Sequence, residues 1–240
     1  MARFYLTPEN WLASPTLSGD EARHLSQVLR IQPGESITVF DGYGRRASAE
    51  VLAITRESVT LKLGESHNPP SPLPAITLAQ AVPKGKMMDL IVQKSVELGI
   101  SAIQPLITRH TIVQPGEGKA EKWRRTALEA CKQCGQDTLP RIAEPCSLEN
   151  WLAADASTPG LKLIASLAAG ALPFRETLRS HPGTTAATLL IGPEGDFSPQ
   201  EMSAALEAGF TPVSLGPIVL RVETATFFCL SVLRYEFTKS

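Results

Sequence analysis

Two glycine-containing segments late in the chain have the residue types and spacing of a ligand site. The first is Leu190–Ser198, with Gly192 and Gly195, and the second is Leu215–Ala225. Each leaves an apolar strand pattern and enters a helical one, and ligands of open α/β sheets bind at the carboxyl ends of strands. Glycine lets the backbone turn sharply and approach a bound molecule closely. On spacing alone, ordinary strand-to-helix connections remain an equal alternative.

The usual motifs of dinucleotide, nucleotide and zinc sites are absent from the sequence. Gly42 and Gly44 lie in a hairpin pattern rather than before a helix, so they do not form a dinucleotide-binding fingerprint. The two glycine segments also lie late in the chain, whereas a dinucleotide loop follows the first strand. A dehydrogenase is therefore a poor candidate.

The pair Cys131 and Cys134 has the C-x-x-C spacing of a metal or redox site, but no second pair completes a set of four ligands. Both cysteines fall at helical spacing with Trp123, Ala127 and Ala130. A free cysteine behaves as a small apolar residue. We therefore predict that both cysteines pack on the inner face of a helix and that no metal is bound.

Composition limits the possible environments of the chain. Its 240 residues allow one large or two small domains, and 23 basic against 24 acidic residues give a net charge of −1. Any RNA surface must therefore come from local clusters of Lys and Arg. No apolar run approaches the roughly 20 residues of a membrane helix. The first residues lack the apolar core of a signal peptide, so we expect a cytoplasmic protein without a membrane partner.

The first third of the chain has the patterning of a small β-domain. A turn at Asp41–Gly44 separates the first two strands, and a stretch with four prolines, His67–Pro74, predicts a stiff linker at a domain boundary. The predicted elements are a helix at Gly19–Leu29 and strands at Ser36–Phe40, Arg45–Ile54 and Ser58–Leu63.

After the linker, strands alternate with helices, which predicts a mostly parallel sheet covered on both faces. The predicted strands are Ala75–Val82, Ile100–Thr108, Leu161–Ser166, Ala187–Ile191 and Pro212–Leu215. The predicted helices are Lys86–Leu98, Lys119–Cys134, one that begins with a capping box at Ser198 and ends at Gly209, and Glu223–Phe237. The inward positions are Met88, Ile91, Val92, Ser95 and Val96 on the first of these helices and Ala225, Phe228, Cys229 and Val232 on the last.

An ordered set of motifs along nearly the whole chain resembles the RsmE family of 16S rRNA uridine-N3 methyltransferases, within the SPOUT superfamily. The set comprises His24, Val28-Leu29-Arg30, Gly34, Phe40-Asp41-Gly42, Lys84-Gly85, Met88-Asp89, Lys94, Glu97-Leu98-Gly99, Arg109, Trp123-Arg124-Arg125, Glu129-Ala130, Gln133, Ile191-Gly192-Pro193-Glu194-Gly195, Phe197-Ser198, Leu215-Gly216, Leu220-Arg221 and Glu223-Thr224-Ala225.

The resemblance implies a PUA-like β-barrel at residues 1–70 that helps to hold RNA, and a SPOUT methyltransferase domain at residues 74–240. The second domain is an α/β domain with a parallel sheet, and its chain end forms a trefoil knot. The implied cofactor is S-adenosylmethionine, the implied substrate is a uridine in 16S rRNA of the small ribosomal subunit, and the implied assembly is a homodimer.

Site residues follow from the same resemblance. Those implied to bind the cofactor are Leu167, Ile191, Gly192, Pro193, Glu194, Gly195, Leu215, Gly216, Ile218, Leu220, Thr224 and Ala225. Those implied to bind RNA are Arg3, Arg23, Arg30, Lys84, Lys94, Arg109, Arg124 and Arg125, although a solvated surface position is an alternative for each of them. His110 is given no partner.

Catalysis is assigned to Arg221 and Glu223. Methyl transfer to uridine N3 requires loss of the N3 proton, which leaves an anion whose charge spreads onto the flanking carbonyl oxygens, and Arg221 is the predicted stabilising cation. Its alternative is a structural tie to its own loop or to Glu223. Glu223 is a candidate general base, and its alternative is an acid that is favoured in the first turn of a helix.

Three positions depart from the family pattern. Asp196 stands where a second glycine is usual, and Ile218 and Gln136 stand where arginine is usual. A side chain at position 196 narrows the freedom of the loop, and the lost arginines weaken phosphate contacts. These departures leave a non-catalytic RNA-binding or ribosome assembly factor as the alternative function.

Overall fold

The computed structural model describes residues 2–12, 14–69, 74–155, 159–168 and 170–238. The chain divides into two compact units, one of Met1–Ser71 with Leu128–Leu139 and one of Pro72–Ala127 with Pro140–Ser240. Of the predicted linker His67–Pro74, residues 70–73 lie outside the described residues. No helix in the described part is long and apolar enough to cross a membrane.

The first unit is built on a five-stranded sheet with the order β1-β3-β4-β5-β2. Its elements are β1 (Arg3–Tyr5), α1 (Pro8–Leu12), β2 (Thr16–Ser18), α2 (Gly19–Arg23), β3 (Ser36–Phe40), β4 (Arg46–Ile54) and β5 (Ser58–His67). Alternate residues of β4 and the first half of β5 are buried, as a sheet with one covered face requires. Strand β5 continues past the predicted end at Leu63 because irregular pairing with β4 extends to His67.

The helix predicted at Gly19–Leu29 changes its geometry part-way. After α2, residues His24–Val28 form a π-helical turn, and the N–H of Leu29 bonds the carbonyl of His24 at 3.0 Å. Arg30 then adopts a positive φ of 55°, which ends the helical run. Hydrophobic spacing predicts a helix here but does not distinguish a π-turn from an α-turn.

Residues Leu128–Leu139 belong to the first unit, which the predicted domain limits did not include. Asp137 explains part of this assignment, because its carboxylate lies 2.6 Å from Arg3 and 3.4 Å from Arg46. Lys132 lies 2.7 Å from Glu21 in the same way. Ion pairs between residues about 90 or more positions apart leave no signal in a local sequence pattern.

The second unit carries a sheet with the order β11-β13-β10-β12-β6-β7-β8, and β9 also pairs with β7. All these pairings are parallel, which confirms the predicted parallel sheet. Its elements are β6 (Ala75–Ala81), α3 (Met87–Glu97), β7 (Ala102–Ile107), the part of α4 (Lys119–Cys134) that precedes Leu128, β8 (Arg141–Ile142), β9 (Cys146–Ser147), α5 (Leu148–Asp155), β10 (Leu161–Ala165), β11 (Leu172–Pro173), α6 (Phe174–Arg179), β12 (Ala186–Ile191), α7 (Pro199–Glu207), β13 (Thr211–Ser214) and α8 (Val222–Phe237).

Two predicted helix signals are confirmed. The face predicted for α3 is the buried one, from Met88 to Val96. Helix α7 begins with the predicted capping box, in which the Ser198 hydroxyl accepts the Glu201 N–H and the Glu201 carboxylate accepts the Ser198 N–H. The box fixes where the segment that follows β12 ends.

The prediction of which residues face inward was partly wrong for α8 and α4. Ala225 and Cys229 are buried, but Phe228 is 42% exposed and Val232 is only partly buried. The buried face of α8 instead includes Thr226, Leu230 and Leu233. Cys131 is buried as predicted on α4, whereas Cys134 is exposed because it is the last residue of the helix.

Helix α8 is fixed to the sheet by polar contacts at both ends. Near its start, the Thr226 hydroxyl donates to the side-chain oxygen of Gln80 at 2.7 Å, and both residues are fully buried. Near its end, the Arg234 guanidinium donates to the carbonyls of Pro74, Leu98 and Gly99. Burial lowers the pKa of Arg234. These contacts fix α8, and therefore the segment that precedes it, against β6 and α3.

Candidate active site

A pocket of about 520 Å³ lies at the carboxyl ends of β10, β12 and β13 and at the start of α8. The two glycine segments of the sequence analysis meet there, and a third segment after β10 joins them. The pocket is lined by Lys84, Met87, Ala165, Ser166, Leu167, Ile191, Gly192, Pro193, Glu194, Asp196, Leu215, Gly216, Ile218, Val219, Leu220, Arg221, Val222, Glu223 and Ala225. Its size and mixed lining are typical of a small-molecule site.

Most residues assigned to the cofactor line this pocket, and both residues assigned to catalysis line it too. Gly195 and Thr224 are the exceptions. Gly195 lines an adjoining cleft, and Thr224 is exposed on the first turn of α8. The assigned residues that meet in the pocket are Leu167, Ile191, Gly192, Pro193, Glu194, Leu215, Gly216, Ile218, Leu220 and Ala225, with Arg221 and Glu223.

Part of the lining was not predicted from the sequence. Lys84 was assigned to RNA rather than to the pocket, and Ala165 and Ser166 were not assigned at all. A signal for these two existed, because Ser166 directly follows β10 and strand ends were the criterion that found the other segments. Met87 was not foreseen either, whereas Asp196, Val219 and Val222 lie within the two predicted segments but were not assigned individually to the cofactor.

Charged groups of both signs face the pocket. The Glu194 carboxylate accepts the backbone N–H of Lys84 at 3.0 Å, which ties the segment after β12 to the one after β6. Arg221 occupies the N-cap position of α8 with an extended backbone, and its side chain makes no hydrogen bond or ion pair with the residues that the structure describes. The alternative pairing of Arg221 with Glu223 is therefore not formed.

The segment after β12 is held by His110 from the other side. The Nδ1 atom of His110 lies 2.9 Å from the carbonyl oxygens of both Gly195 and Asp196. A Cβ atom on Gly195 would stand 3.0 Å from the Cβ atom of His110, which is a tight contact, so the approach of His110 favours glycine at this position. No sequence spacing predicted this contact across 85 residues.

Asp196 adopts a positive φ of 58°, which is the conformation that glycine adopts most easily. Its Oδ1 atom accepts the N–H of Phe197 at 2.8 Å. Aspartate is among the residues that tolerate this conformation because its short polar side chain bonds locally. The departure from the glycine pattern is therefore accommodated without a different loop conformation being required.

The segment before α8 offers both apolar and polar groups to a ligand. Ile218 is 73% exposed and Val219 is 72% exposed, which is unusual for apolar side chains that lie side by side. The backbone N–H groups of Ile218, Val219 and Leu220 make no hydrogen bond within the described part of the chain. Such groups are ready to bind a molecule with a flat apolar ring and a polar edge.

Comparison with known proteins gives the family of the chain. Residues 69–234 match the family described as an RNA methyltransferase domain, and residues 17–64 match the family described as an RNA methyltransferase PUA domain. The chain is 33% identical over 230 residues to ribosomal RNA small subunit methyltransferase E of Synechocystis sp., over 95% of this chain and 76% of that protein. The chain belongs to the RsmE family.

Two solved structures of similar proteins agree with this membership. A putative methyltransferase of Legionella pneumophila, solved in complex with S-adenosylmethionine, has a TM-score of 0.86 and 33% identity over 98% of this chain and 97% of that chain. The ribosomal RNA small subunit methyltransferase E of Neisseria gonorrhoeae, bound to S-adenosylmethionine, has a TM-score of 0.85 and 35% identity over the same shares. The predicted family, methyltransferase activity and PUA-like first domain are confirmed.

The basic residues that were assigned to RNA binding differ in whether their charge is already paired with an acid. Arg3 is nearly buried and lies 2.6 Å from Asp137, and Lys94 lies 2.8 Å from Glu97. Arg23, Arg124 and Arg125 also pair with acids. In contrast, the side chains of Arg30, Lys84 and Arg109 have no ion pair among the described residues, which leaves their charges available to phosphates.

The described residues contain no group of three or more His, Cys, Asp or Glu that could hold a metal ion. Burial raises the pKa of the Cys131 thiol to about 12, so this sulfur remains protonated at neutral pH. A metal ligand requires the thiolate. The C-x-x-C pair of this RsmE protein is therefore a poor ligand set.

Proposed function

We propose that this enzyme transfers a methyl group from S-adenosylmethionine to N3 of a specific uridine in 16S rRNA of the small ribosomal subunit. The observation that carries the proposal is the pocket at the carboxyl ends of β10, β12 and β13. There most of the residues that the resemblance to RsmE proteins assigns to the cofactor lie together with Arg221, whose side chain makes no hydrogen bond or ion pair among the described residues.

The pocket fits the cofactor in shape and in charge. The unbonded N–H groups from Ile218 to Leu220 and the exposed apolar side chains beside them suit the edge and the faces of an adenine ring. The carboxylates of Glu194, Asp196 and Glu223 suit a cationic ligand. When bound, S-adenosylmethionine supplies an electrophilic methyl group on a sulfonium.

The role of the protein is then to position uridine and to stabilise its charge. The N3–H group is a weak imide acid, and loss of its proton places negative charge on the flanking carbonyl oxygens. Arg221 is suited to these oxygens because its guanidinium has no other partner in the described chain. Glu223 lies in the first turn of α8, where an acid is favoured by the helix dipole, so stabilisation of the helix is the alternative to a role as base.

The same proposal includes the compartment, the oligomeric state and the domain roles of the enzyme. We expect the enzyme to act in the cytoplasm as a homodimer, to use its PUA-like domain on RNA and to have a trefoil knot in its second domain. The exposed side chains of Phe228 and Tyr235 on α8, 42% and 87% accessible, support a contact with a second copy.

A methyl-transfer assay with purified components tests the proposal. Small ribosomal subunits and naked 16S rRNA from cells that lack this activity are incubated with the protein and S-adenosylmethionine, and the RNA is digested to nucleosides. We expect 3-methyluridine to form at one position. A protein that binds RNA but transfers no methyl group to either substrate would support the assembly-factor alternative.

A further inference from the structure

A second cleft of about 470 Å³ adjoins the cofactor pocket. It is lined by Lys84, Arg109, His110, Ile112, Glu194 and Gly195. Lys84 and Glu194 line both cavities, so a group bound in the second cleft would lie beside the cofactor pocket. The chemistry available in this cleft depends on His110.

The hydrogen bonds of His110 determine which of its nitrogen atoms is a base. Its Nδ1 atom lies 2.9 Å from two carbonyl oxygens, of Gly195 and Asp196. Carbonyl oxygens only accept hydrogen bonds, so Nδ1 carries the hydrogen. The neutral ring therefore has its lone pair on Nε2, which has no partner among the described residues. A fixed ring orientation and a defined tautomer are what a catalytic histidine requires.

The residues around His110 suit a bound ring that acquires a negative charge when it gives up a proton. Lys84 and Arg109 bring positive charge and have no ion pair with any described residue, and Ile112, 68% exposed, offers an apolar contact. Two acids lie nearby, and each of them accepts one backbone N–H. Glu194 accepts the backbone N–H of Lys84, and Asp196 accepts that of Phe197.

Glu201 completes the set of charged groups around the cleft. Its carboxylate accepts the N–H groups of Arg109 and Ser198 and the Ser198 hydroxyl. It therefore positions the backbone next to His110, and its oxygens are already occupied by donors. The cleft thus combines one proton acceptor with two cations that have no ion pair in the described part of the chain.

We propose that this cleft receives the uracil ring of the target nucleotide and that His110 Nε2 accepts its N3 proton, an inference that rests on the proposed function. The N3–H bond breaks, its electron pair stays on N3, and the proton passes to Nε2. The pair on N3 then forms the new bond to the methyl carbon while the carbon–sulfur pair remains on sulfur. The imidazolium afterwards releases its proton to water.

Histidine is better suited to this step than Glu223. A general base is most effective when its proton affinity matches the operating pH, and histidine is the side chain that exchanges protons most readily near neutrality. Carboxylates are ordinarily much weaker bases. Arg221 then keeps its separate role, which is to stabilise the charge on the uracil oxygens.

Two substitutions separate proton transfer from loop positioning. In His110→Asn, the side-chain NH₂ stands where Nδ1–H stands and can donate to the same carbonyls, but the variant has no atom in place of Nε2. In His110→Ala, both functions are lost. His181→Asn is the matched control, because Nδ1 of His181 also lies near a backbone carbonyl, that of Thr177 at 2.8 Å, and His181 lines neither cavity.

The variants are compared by cofactor affinity and by single-turnover rate at saturating S-adenosylmethionine. We expect His110→Ala to bind the cofactor more weakly and His110→Asn to bind it almost normally. Both should transfer methyl about 10²-fold or more slowly at neutral pH. The rate of His110→Asn should rise with pH, as more uridine ionises unaided. Without cofactor, an rRNA fragment containing the target uridine should shift the imidazole resonances of His110 and not those of His181.

An active wild type with an equally fast His110→Asn variant at neutral pH would overturn this inference alone. Unshifted His110 resonances with RNA bound would overturn the placement of uracil in the cleft. A wild type that transfers no methyl group to RNA would overturn the proposed function and the inference with it.

Discussion

At the scale of single residues, Arg221 is the sharpest test of the catalytic account. Its side chain lines the cofactor pocket without a partner among the described residues, so its loss leaves no buried acid unpaired. We expect Arg221→Ala to bind cofactor and RNA almost normally but to lose about 10²- to 10³-fold in single-turnover rate. Arg221→Lys should recover only part of the rate, because an ammonium does not reproduce the planar guanidinium.

Cofactor titration and single-turnover kinetics of these variants are measured together. If Arg221 is a structural tie of its loop, then Arg221→Ala loses cofactor affinity or thermal stability instead. A normal single-turnover rate in this variant would remove Arg221 from catalysis.

Asp196 gives a second prediction at this scale. Its φ of 58° is costly for branched side chains and easy for glycine. We expect Asp196→Gly to change the free energy of unfolding little, whereas Asp196→Val should lower it by about 1–2 kcal/mol. Urea unfolding measures both. Equal stability of the glycine and valine variants would show that the segment relaxes to another conformation.

Residues of the pocket could be predicted from the sequence only where they follow the end of a strand. The rule that ligands bind at strand ends found the segments around Gly192 and Gly216, and it also applies to Ser166, which was overlooked. His110 could not be found in this way. Its partners lie 85 and 86 positions away, and that contact depends on the packing of two loops rather than on any spacing.

At the scale of elements, the position of α8 determines where the site lies. The buried Thr226 hydroxyl donates to Gln80 on β6, and valine would leave the Gln80 oxygen without its donor. We expect Thr226→Val to lower the free energy of unfolding by about 1–3 kcal/mol. Thr238→Val, at the exposed end of the helix, is the control and should change it by less than about 0.5 kcal/mol.

A double-mutant cycle checks whether the pair itself is responsible. Gln80→Met combined with Thr226→Val should cost less than the sum of the two single substitutions, because neither partner is then left unpaired. Additive effects measured by urea unfolding would contradict the coupling.

Long elements with clear periodicity were predictable, and short ones were not. The five buried positions of α3 follow the 3.6-residue period, and α7 begins at its capping box. Strands β1 and β2 have three residues each, which is too short for an alternating pattern to be recognised. On α8, apolar residues occur around much of the circumference, so periodicity did not show that Phe228 faces outward.

For the whole molecule, burial is expected to determine how fast each of the four cysteine thiols reacts with an alkylating reagent. Burial raises the pKa of both Cys131 and Cys229 to about 12 and also raises that of Cys146, whereas Cys134 is exposed. The thiolate is the reactive form. Iodoacetamide at pH 8 should therefore modify Cys134 first and leave Cys131 and Cys229 largely unmodified until the protein unfolds.

Mass spectrometry of native and urea-treated samples gives the order of alkylation. All four thiols should react in urea. Modification of Cys131 as fast as Cys134 in the native protein would contradict its placement on the inner face of α4.

The proposed activity of this RsmE protein is the formation of 3-methyluridine in 16S rRNA. The most direct measurement compares nucleosides of 16S rRNA from cells with the protein, without it, and with the Arg221→Ala variant in its place. Chromatography with mass spectrometry separates N3-methylated uridine from its C5- and ribose-methylated isomers. We predict that 3-methyluridine disappears without the protein, returns with the wild type and stays strongly reduced with the variant. Unchanged 3-methyluridine in cells that lack the protein would contradict the account.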